Sequence, residues 1–239
     1  MEKYLRLYFD QKEDVFMPVI AIVGAGSGLG ASIARVFGKN GFQVALVARS
    51  QKKLDEIAAQ LADEGIEAAG FAADLLDAPT LVSAFEKITE RFGPVDVLEF
   101  SPAVHARGTQ LDMVGPVEVT RENLQPQFDF YVYGAIAAAA QVLPGMLEAG
   151  AGTLLFTTGG GSITPVSMMG NVNTAAAALR NWVLNLNQTI ADRGVYAAHV
   201  AISAWIGGGK PEAEADVIAQ AYYDLYTSRD KAELHYVAL

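Results

Sequence analysis

"VIAIVGAGSGLG", Val19 to Gly30, decides the fold. Its first six residues are apolar, partly β-branched and unbroken by charge, the pattern of a short strand buried on both faces. The glycines that follow, Gly24, Gly28 and Gly30, are spaced G-x-x-x-G-x-G and open a helical stretch, Leu29 to Asn40, that ends at Gly41. Glycine suits such a turn because the backbone must reverse tightly there. It can then approach a pyrophosphate closely, with the amides and positive dipole end of the helix facing the anion.

The pattern repeats outward from that unit. "QVALVAR" (Gln43 to Arg49) reads as a second strand, Lys52 to Glu64 as an amphipathic helix, and "EAAGFAAD" (Glu67 to Asp74) as a third strand. A helix from Pro79 to Arg91 and a strand "VDVLEF" (Val95 to Phe100) follow. Then come a long helix through "FDFYVYGAIAAAAQVLPGMLEAG" and a strand "GTLLFTT" (Gly152 to Thr158). An Ala-rich helix near Thr174 to Asp192, a strand "AAHVAIS" (Ala197 to Ser203), a helix near Pro211 to Thr227 and a short strand in "AELHYVAL" complete the chain. Strands that alternate with helices imply a parallel sheet covered on both faces. The expected architecture is one doubly wound α/β domain over residues 18–239, behind an N-terminal extension of residues 1–17.

Composition narrows the partners. A formal charge of −10 over 239 residues disfavours nucleic acid and anionic membrane surfaces, which call for clustered Lys and Arg. The absence of Cys excludes disulfides, thiolate metal sites and Cys nucleophiles, and no metal site is read elsewhere. The opening "MEKYLRLYFDQKEDVF" lacks the apolar core of a signal peptide, and no uninterrupted apolar run matches a bilayer span. A soluble, cytoplasmic protein with small-molecule or protein partners is expected.

On these motifs the chain resembles the short-chain dehydrogenase/reductase family over roughly Pro18 to Ile206, which implies a Rossmann-type fold and a nicotinamide dinucleotide. The resemblance implies a cofactor-binding set of Gly24, Ser27, Gly28, Leu29, Gly30, Arg49, Ser50, Asp74, Leu75, Ser101, Pro102, Ala103 and Ile206. Asp74, in "AADLLD", stands where the family's Asp meets adenine; capping of the next helix accounts for it equally well. Ser101-Pro102-Ala103 replaces the family's Asn-Ala-Gly. At the end of the second strand the family uses an acid to hold the ribose of NAD, whereas this chain has Arg49 and Ser50. A guanidinium and a hydroxyl suit a 2′-phosphate, so NADP is favoured over NAD, with Lys52 and Lys53 assisting; a solvated surface Arg is the alternative.

The family's catalytic Ser, Tyr and Lys align with Gly159, Val172 and Ala176. Between Gly134 and Val195 there is no Tyr and no Lys, so no shift of alignment restores them. The family's helical Asn is replaced by Tyr131. Thr157, Thr158, Ser162, Asn171 and Asn173 are polar neighbours, but hydroxyls and amides are poor general acids near neutral pH. Tyr131, His105 and Thr158 are the candidate substitutes, while His199 is expected to be a hydrogen-bonded strand residue. An oxidoreductase of altered mechanism and a catalytically silent nucleotide-binding sensor or scaffold are both open. Two Ala-rich helices resemble the family's dimer-building pair and imply a homodimer or homotetramer. "SAWIGGGKPEAEAD" reads as a glycine-hinged lid.

Overall fold

The computed structural model describes residues 17–103 and 108–239. The extension before Met17 and the candidate His105 lie outside the described residues. Seven parallel strands form one sheet: β1 (Val19–Val23), β2 (Gln43–Ala48), β3 (Ala68–Ala72), β4 (Val97–Phe100), β5 (Gly152–Gly159), β6 (Val195–Ala204) and β7 (Glu233–Ala238). Their order is β3-β2-β1-β4-β5-β6-β7, so the winding reverses between β1 and β4. All five residues of β1 are buried, as expected of a strand covered on both faces.

Period-two alternation assigns each strand residue to a layer. Ala21, Val23, Leu98, Phe100, Leu154 and Phe156 point to one face. That face is covered by α3 (Ala78–Phe92), α5 (Gly134–Ala149) and α6 (Gly170–Ile190). Ile20, Ile22, Val97 and Leu155 point to the other, beneath α1 (Leu29–Lys39), α2 (Gln51–Asp63) and α7 (Ala215–Ser228). Here Phe37 of α1 packs edge-on against Phe42 and Tyr223 at centroid separations of 5.1 and 5.3 Å.

Several boundaries differ from the sequence reading. β3 and β4 are shorter than expected, and Asp74 and Val95 lie outside them. The long helix is composite: α4 (Arg121–Gln127) passes through a π-helical turn, Phe128–Tyr133, into α5. Pro126 lies inside α4 and brings no N–H, so the ladder is already interrupted where the wider turn begins. α6 starts at Gly170 rather than Thr174, and Pro211–Ala213 is a separate 3₁₀ turn before α7. The continuous stretch Arg121–Ala149 is long and apolar enough to cross a membrane by length and mean composition, although Arg121, Glu122, Asp129 and Glu148 interrupt it, so it is not the uninterrupted apolar run that the sequence lacks. In this fold Ala135, Ala138, Ala139, Val142 and Met146 of that stretch pack into the core beneath α5.

Candidate active site

All seven strands run in parallel, so their carboxyl ends share one edge, and the winding reversal opens a crevice there between β1 and β4. Gly24 leaves β1 at φ +98°, and a Cβ on it would lie 2.5 Å from both N and Cα of Pro102. The loop after β4 thus closes directly on the glycine turn, and Ser101 N donates to Val23 O at 2.9 Å. Gly24 and Ala25 donate their amides to Val47 O, which fixes the turn to β2. A Cβ on Gly30 would come within 3.0 Å of Ala25 Cα, so glycine lets α1 start hard against the turn. Gly28 caps α1, and no side chain bonds to the helix N-terminus. Ala31 N donates to Gly26 O at 2.9 Å, which leaves the amides of Leu29 and Gly30 without a partner among the described residues, with open space beside Gly26 and Gly28. This is a cradle suited to a diphosphate, with Ser27 and Leu29 within it.

Arg49 and Ser50 follow β2 at the same edge. Arg49 is exposed, and no hydrogen bond or ion pair ties it to any described residue. Ser50 caps α2, its Oγ accepting from Lys53 N at 3.5 Å. Asp74 folds its own turn: Oδ1 accepts from Leu76 N at 3.0 Å, and its backbone N donates to Thr80 Oγ1. α3 is capped at Asp77, not at Asp74. Leu75 packs against the α3–α5–α6 core, while Ile206 sits in the exposed loop after β6 with Gly207 and Gly209 at positive φ.

Around the aligned catalytic positions the picture is mixed. Gly159 ends β5 beside open space: a Cβ there meets nothing within 4 Å. Val172 is half-buried and Ala176 is buried on α6. Asn171 is fully engaged as a staple, accepting from Val114 N and Val172 N while donating to Asp112 O and Asn123 O. Asn173 donates to Val166 O. Tyr131 packs on the α3–α5–α6 core with its ring edge-on to Phe130, and burial pushes its phenol above the ordinary range, away from general-acid duty.

Thr158 opens a continuous polar chain. Its Oγ1 lies 2.8 Å from Ser162 Oγ and 2.8 Å from His199 Nε2. His199 Nδ1 is 3.0 Å from Glu233 Oε1, and Arg180 clamps both oxygens of Glu233 at 2.5 and 2.8 Å. The Arg180 guanidinium holds the Glu233 carboxyl below its usual range, so Glu233 is an ionised acceptor and Nδ1 of His199 carries the proton. Nε2 is then left to accept the Thr158 hydroxyl. Burial lowers the His199 imidazole from its ordinary value, and hydrogen bonding to Glu233 partly opposes this.

A second group lies on the opposite face. Glu99, fully buried on β4, accepts from Ser101 Oγ at 2.8 Å and from Thr157 Oγ1 at 3.0 Å, and Thr157 Oγ1 meets Tyr222 Oη at 2.7 Å. Burial pushes the Glu99 carboxyl up to about 8 against those hydrogen bonds. The sequence held a signal for Glu99, an acid between Leu98 and Phe100 in the otherwise apolar "VLEF". It held none for Glu233 and Arg180, which meet His199 only through the β6–β7 pairing and the packing of α6.

The chain belongs to the short chain dehydrogenase family, which residues 18–205 match. A putative ketoacyl reductase of Streptomyces coelicolor is 32% identical over 148 residues, 59% of this chain and 54% of that protein. A dehydrogenase/reductase, SDR family member 7B, of Mus musculus is 34% identical over 134 residues, 54% of this chain and 40% of that protein. The chain thus spans about half, or less, of the length of these relatives. Among solved structures, the L-sorbose reductase of Gluconobacter frateurii complexed with NADPH and L-sorbose superposes with a TM-score of 0.78 at 21% identity, covering 93% of this chain and 95% of that one. An alcohol dehydrogenase from the archaeon Thermococcus sibiricus complexed with 5-hydroxy-NADP gives a TM-score of 0.74 at 26% identity, covering 92% and 95%.

Proposed function

We propose that this protein is an NADP(H)-dependent oxidoreductase acting between a carbonyl and a secondary alcohol, without the family's Tyr–Lys couple. The observation that carries this reading is the glycine turn closed by Pro102 at the winding reversal, with the exposed guanidinium of Arg49, paired with no described residue, one residue past β2. Gly24, Ser27, Gly28, Leu29 and Gly30 would hold the diphosphate, Arg49 and Ser50 a 2′-phosphate, and Asp74 and Leu75 the adenine side. Ser101, Pro102, Ala103 and Ile206 would border the nicotinamide end. When bound, the nicotinamide supplies or accepts the hydride. The chain contributes orientation and exclusion of water, which account for much of the acceleration in such reactions. With Val172 and Ala176 in place of phenol and ammonium, general acid–base catalysis by that couple, worth ~10²–10⁴-fold, is lost.

Two solved structures of the same fold carry NADP-type ligands, and an alcohol dehydrogenase and an L-sorbose reductase are among them, which supports the reading. Calorimetric titration with NADPH and NADH, followed by a panel of ketones and secondary alcohols, tests it. Binding of NADPH with no turnover would leave a silent nucleotide-binding module. Assembly into a dimer or tetramer through the α5 and α6 faces is part of the same proposal, supported by the exposed Tyr133 and Ile136, and light scattering measures it.

A further inference from the structure

Residues 172, 176 and 180 are spaced four apart on α6 and lie on one side of the helix. The first two are the apolar replacements; the third is Arg180. One turn beyond the position where the family's ammonium would stand, the same stripe carries a cation, and that cation clamps Glu233 bidentately. From Glu233 the chain runs through His199 and Thr158 to Ser162, each link between 2.8 and 3.0 Å. Five groups from β5, the turn after it, β6, β7 and α6 are brought into one line.

Packing alone does not call for this. His199 is fully buried in a strand whose neighbours on the same face are small and apolar, and an aliphatic side chain there would avoid the desolvation of an imidazole and its carboxylate. The far end of the line is Ser162, 7% exposed. Ser162 lies on the turn that follows Gly159, where it accepts from Thr158 Oγ1 and donates to Gly159 O at 3.1 Å; passing a proton toward His199 requires the Ser162 hydroxyl to turn onto Thr158 and the Thr158 hydroxyl to turn onto Nε2.

We infer that Ser162, Thr158, His199, Glu233 and Arg180 form a proton relay that serves the site in place of the missing phenol and ammonium. Ser162 is the group that meets substrate oxygen, and the other four act through it. This rests on the oxidoreductase reading. In alcohol oxidation the substrate carbon gives up hydride to the nicotinamide, and the hydroxyl proton passes to Ser162 as the carbonyl forms. Ser162 passes its own proton to Thr158, and Thr158 passes its own to His199 Nε2. The imidazolium so formed faces the Glu233 carboxylate, which Arg180 keeps ionised. Reduction runs the same steps backward from the imidazolium. The charged and titratable groups facing His199 are Glu233 and His235 from β7 and Arg180 from α6. Burial sets the direction, so oxidation should rise with pH through a midpoint below the ordinary histidine value of 6.5.

The first measurement needs no turnover. The chain has three His, so ¹⁵N-histidine NMR of the full chain, assigned with His199→Gln, reads the tautomer directly. The expected result at pH 7.5 is a proton on Nδ1 of His199 and none on Nε2. A proton on Nε2 overturns the relay, because Thr158 would then face a donor and not a base. The second measurement compares Thr158→Val, Thr158→Ser and His199→Gln for NADPH affinity and for the pH profile of alcohol oxidation. Thr158→Val is nearly isosteric and leaves the Arg180–Glu233 pair intact, so unchanged NADPH affinity certifies its fold. Expected are a ~10²-fold loss of kcat in Thr158→Val and His199→Gln, with KM within about threefold, and retention of rate in Thr158→Ser. The pH midpoint of the wild type should match the NMR midpoint and vanish in His199→Gln. Full activity in Thr158→Val, or a pH profile unmoved in His199→Gln, overturns the relay while the oxidoreductase reading stands. Absence of NADPH binding, or of any turnover by the wild type, overturns both.

Discussion

Replacing Glu99 by Gln should stabilise the protein, and more so as the pH rises. Glu99 is fully buried and pushed up to about 8 from an ordinary 4.5, so the folded state keeps a proton that the unfolded state releases between those values. A group that binds its proton more tightly when folded makes stability fall as pH rises through that window, with the loss complete above about pH 8. Each pH unit is worth 1.36 kcal/mol, which puts a ceiling of about 5 kcal/mol on the effect. Relaxation and water entry reduce such penalties in real interiors, and about 2–3 kcal/mol is the working figure. Gln cannot ionise, yet it can still accept from one of Ser101 and Thr157 and donate to the other. The variant and the wild type should therefore melt within a degree or two of each other at pH 5. By pH 9 the variant should melt higher by about 4–12 °C, since 1 kcal/mol moves Tm by ~2–4 °C in a chain of this size. Scanning calorimetry in matched buffers from pH 5 to 9 measures the difference, in which every other titrating group cancels. A difference that stays flat with pH would refute the reasoning, as would a variant that melts lower at pH 9.

Arg49→Asp should weaken NADPH binding at least tenfold and reverse any preference over NADH, because it places an acid where a 2′-phosphate would sit; tighter NADH binding by the wild type would show that Arg49 is only a surface residue. Gly24→Ala should cost about 2–3 kcal/mol in chemical denaturation and abolish nucleotide binding, since φ is +98° and the Pro102 backbone stands 2.5 Å from the new Cβ. Gly159→Ser with Val172→Tyr and Ala176→Lys should create measurable carbonyl reduction; the serine meets open space, while the lysine enters a buried position and should lower Tm by several degrees. A chain beginning at Met17 should bind NADPH as the full chain does, and loss of binding would make the first sixteen residues part of the site.

The alternation of apolar strands with helices, and the glycine spacing after β1, were enough to determine a doubly wound parallel sheet and the place of its crevice. Those features are local: burial on both faces fixes the composition of β1, and the tight turn after it admits only glycine at Gly24. The sequence also shows that no Tyr or Lys lies between Gly134 and Val195, and the resemblance sets Gly159, Val172 and Ala176 against the family's catalytic positions. Strand ends, the π-turn after Pro126 and the extension of α6 back to Gly170 were not legible, since capping and packing decide them within a few residues. Nor could the sequence reveal that Arg180, Glu233 and His199 meet. Glu233 lies 34 positions from His199 and 53 from Arg180, and they touch only because β7 pairs beside β6 and α6 lies across them. Glu99 is one of two acids in "VDVLEF", and nothing in the stretch tells its surroundings from those of Asp96, because its partners Ser101 and Thr157 come from a loop and a neighbouring strand. Apolar periodicity is written along the chain, whereas a buried polar group is defined by what lies across from it, and only the tertiary structure supplies that.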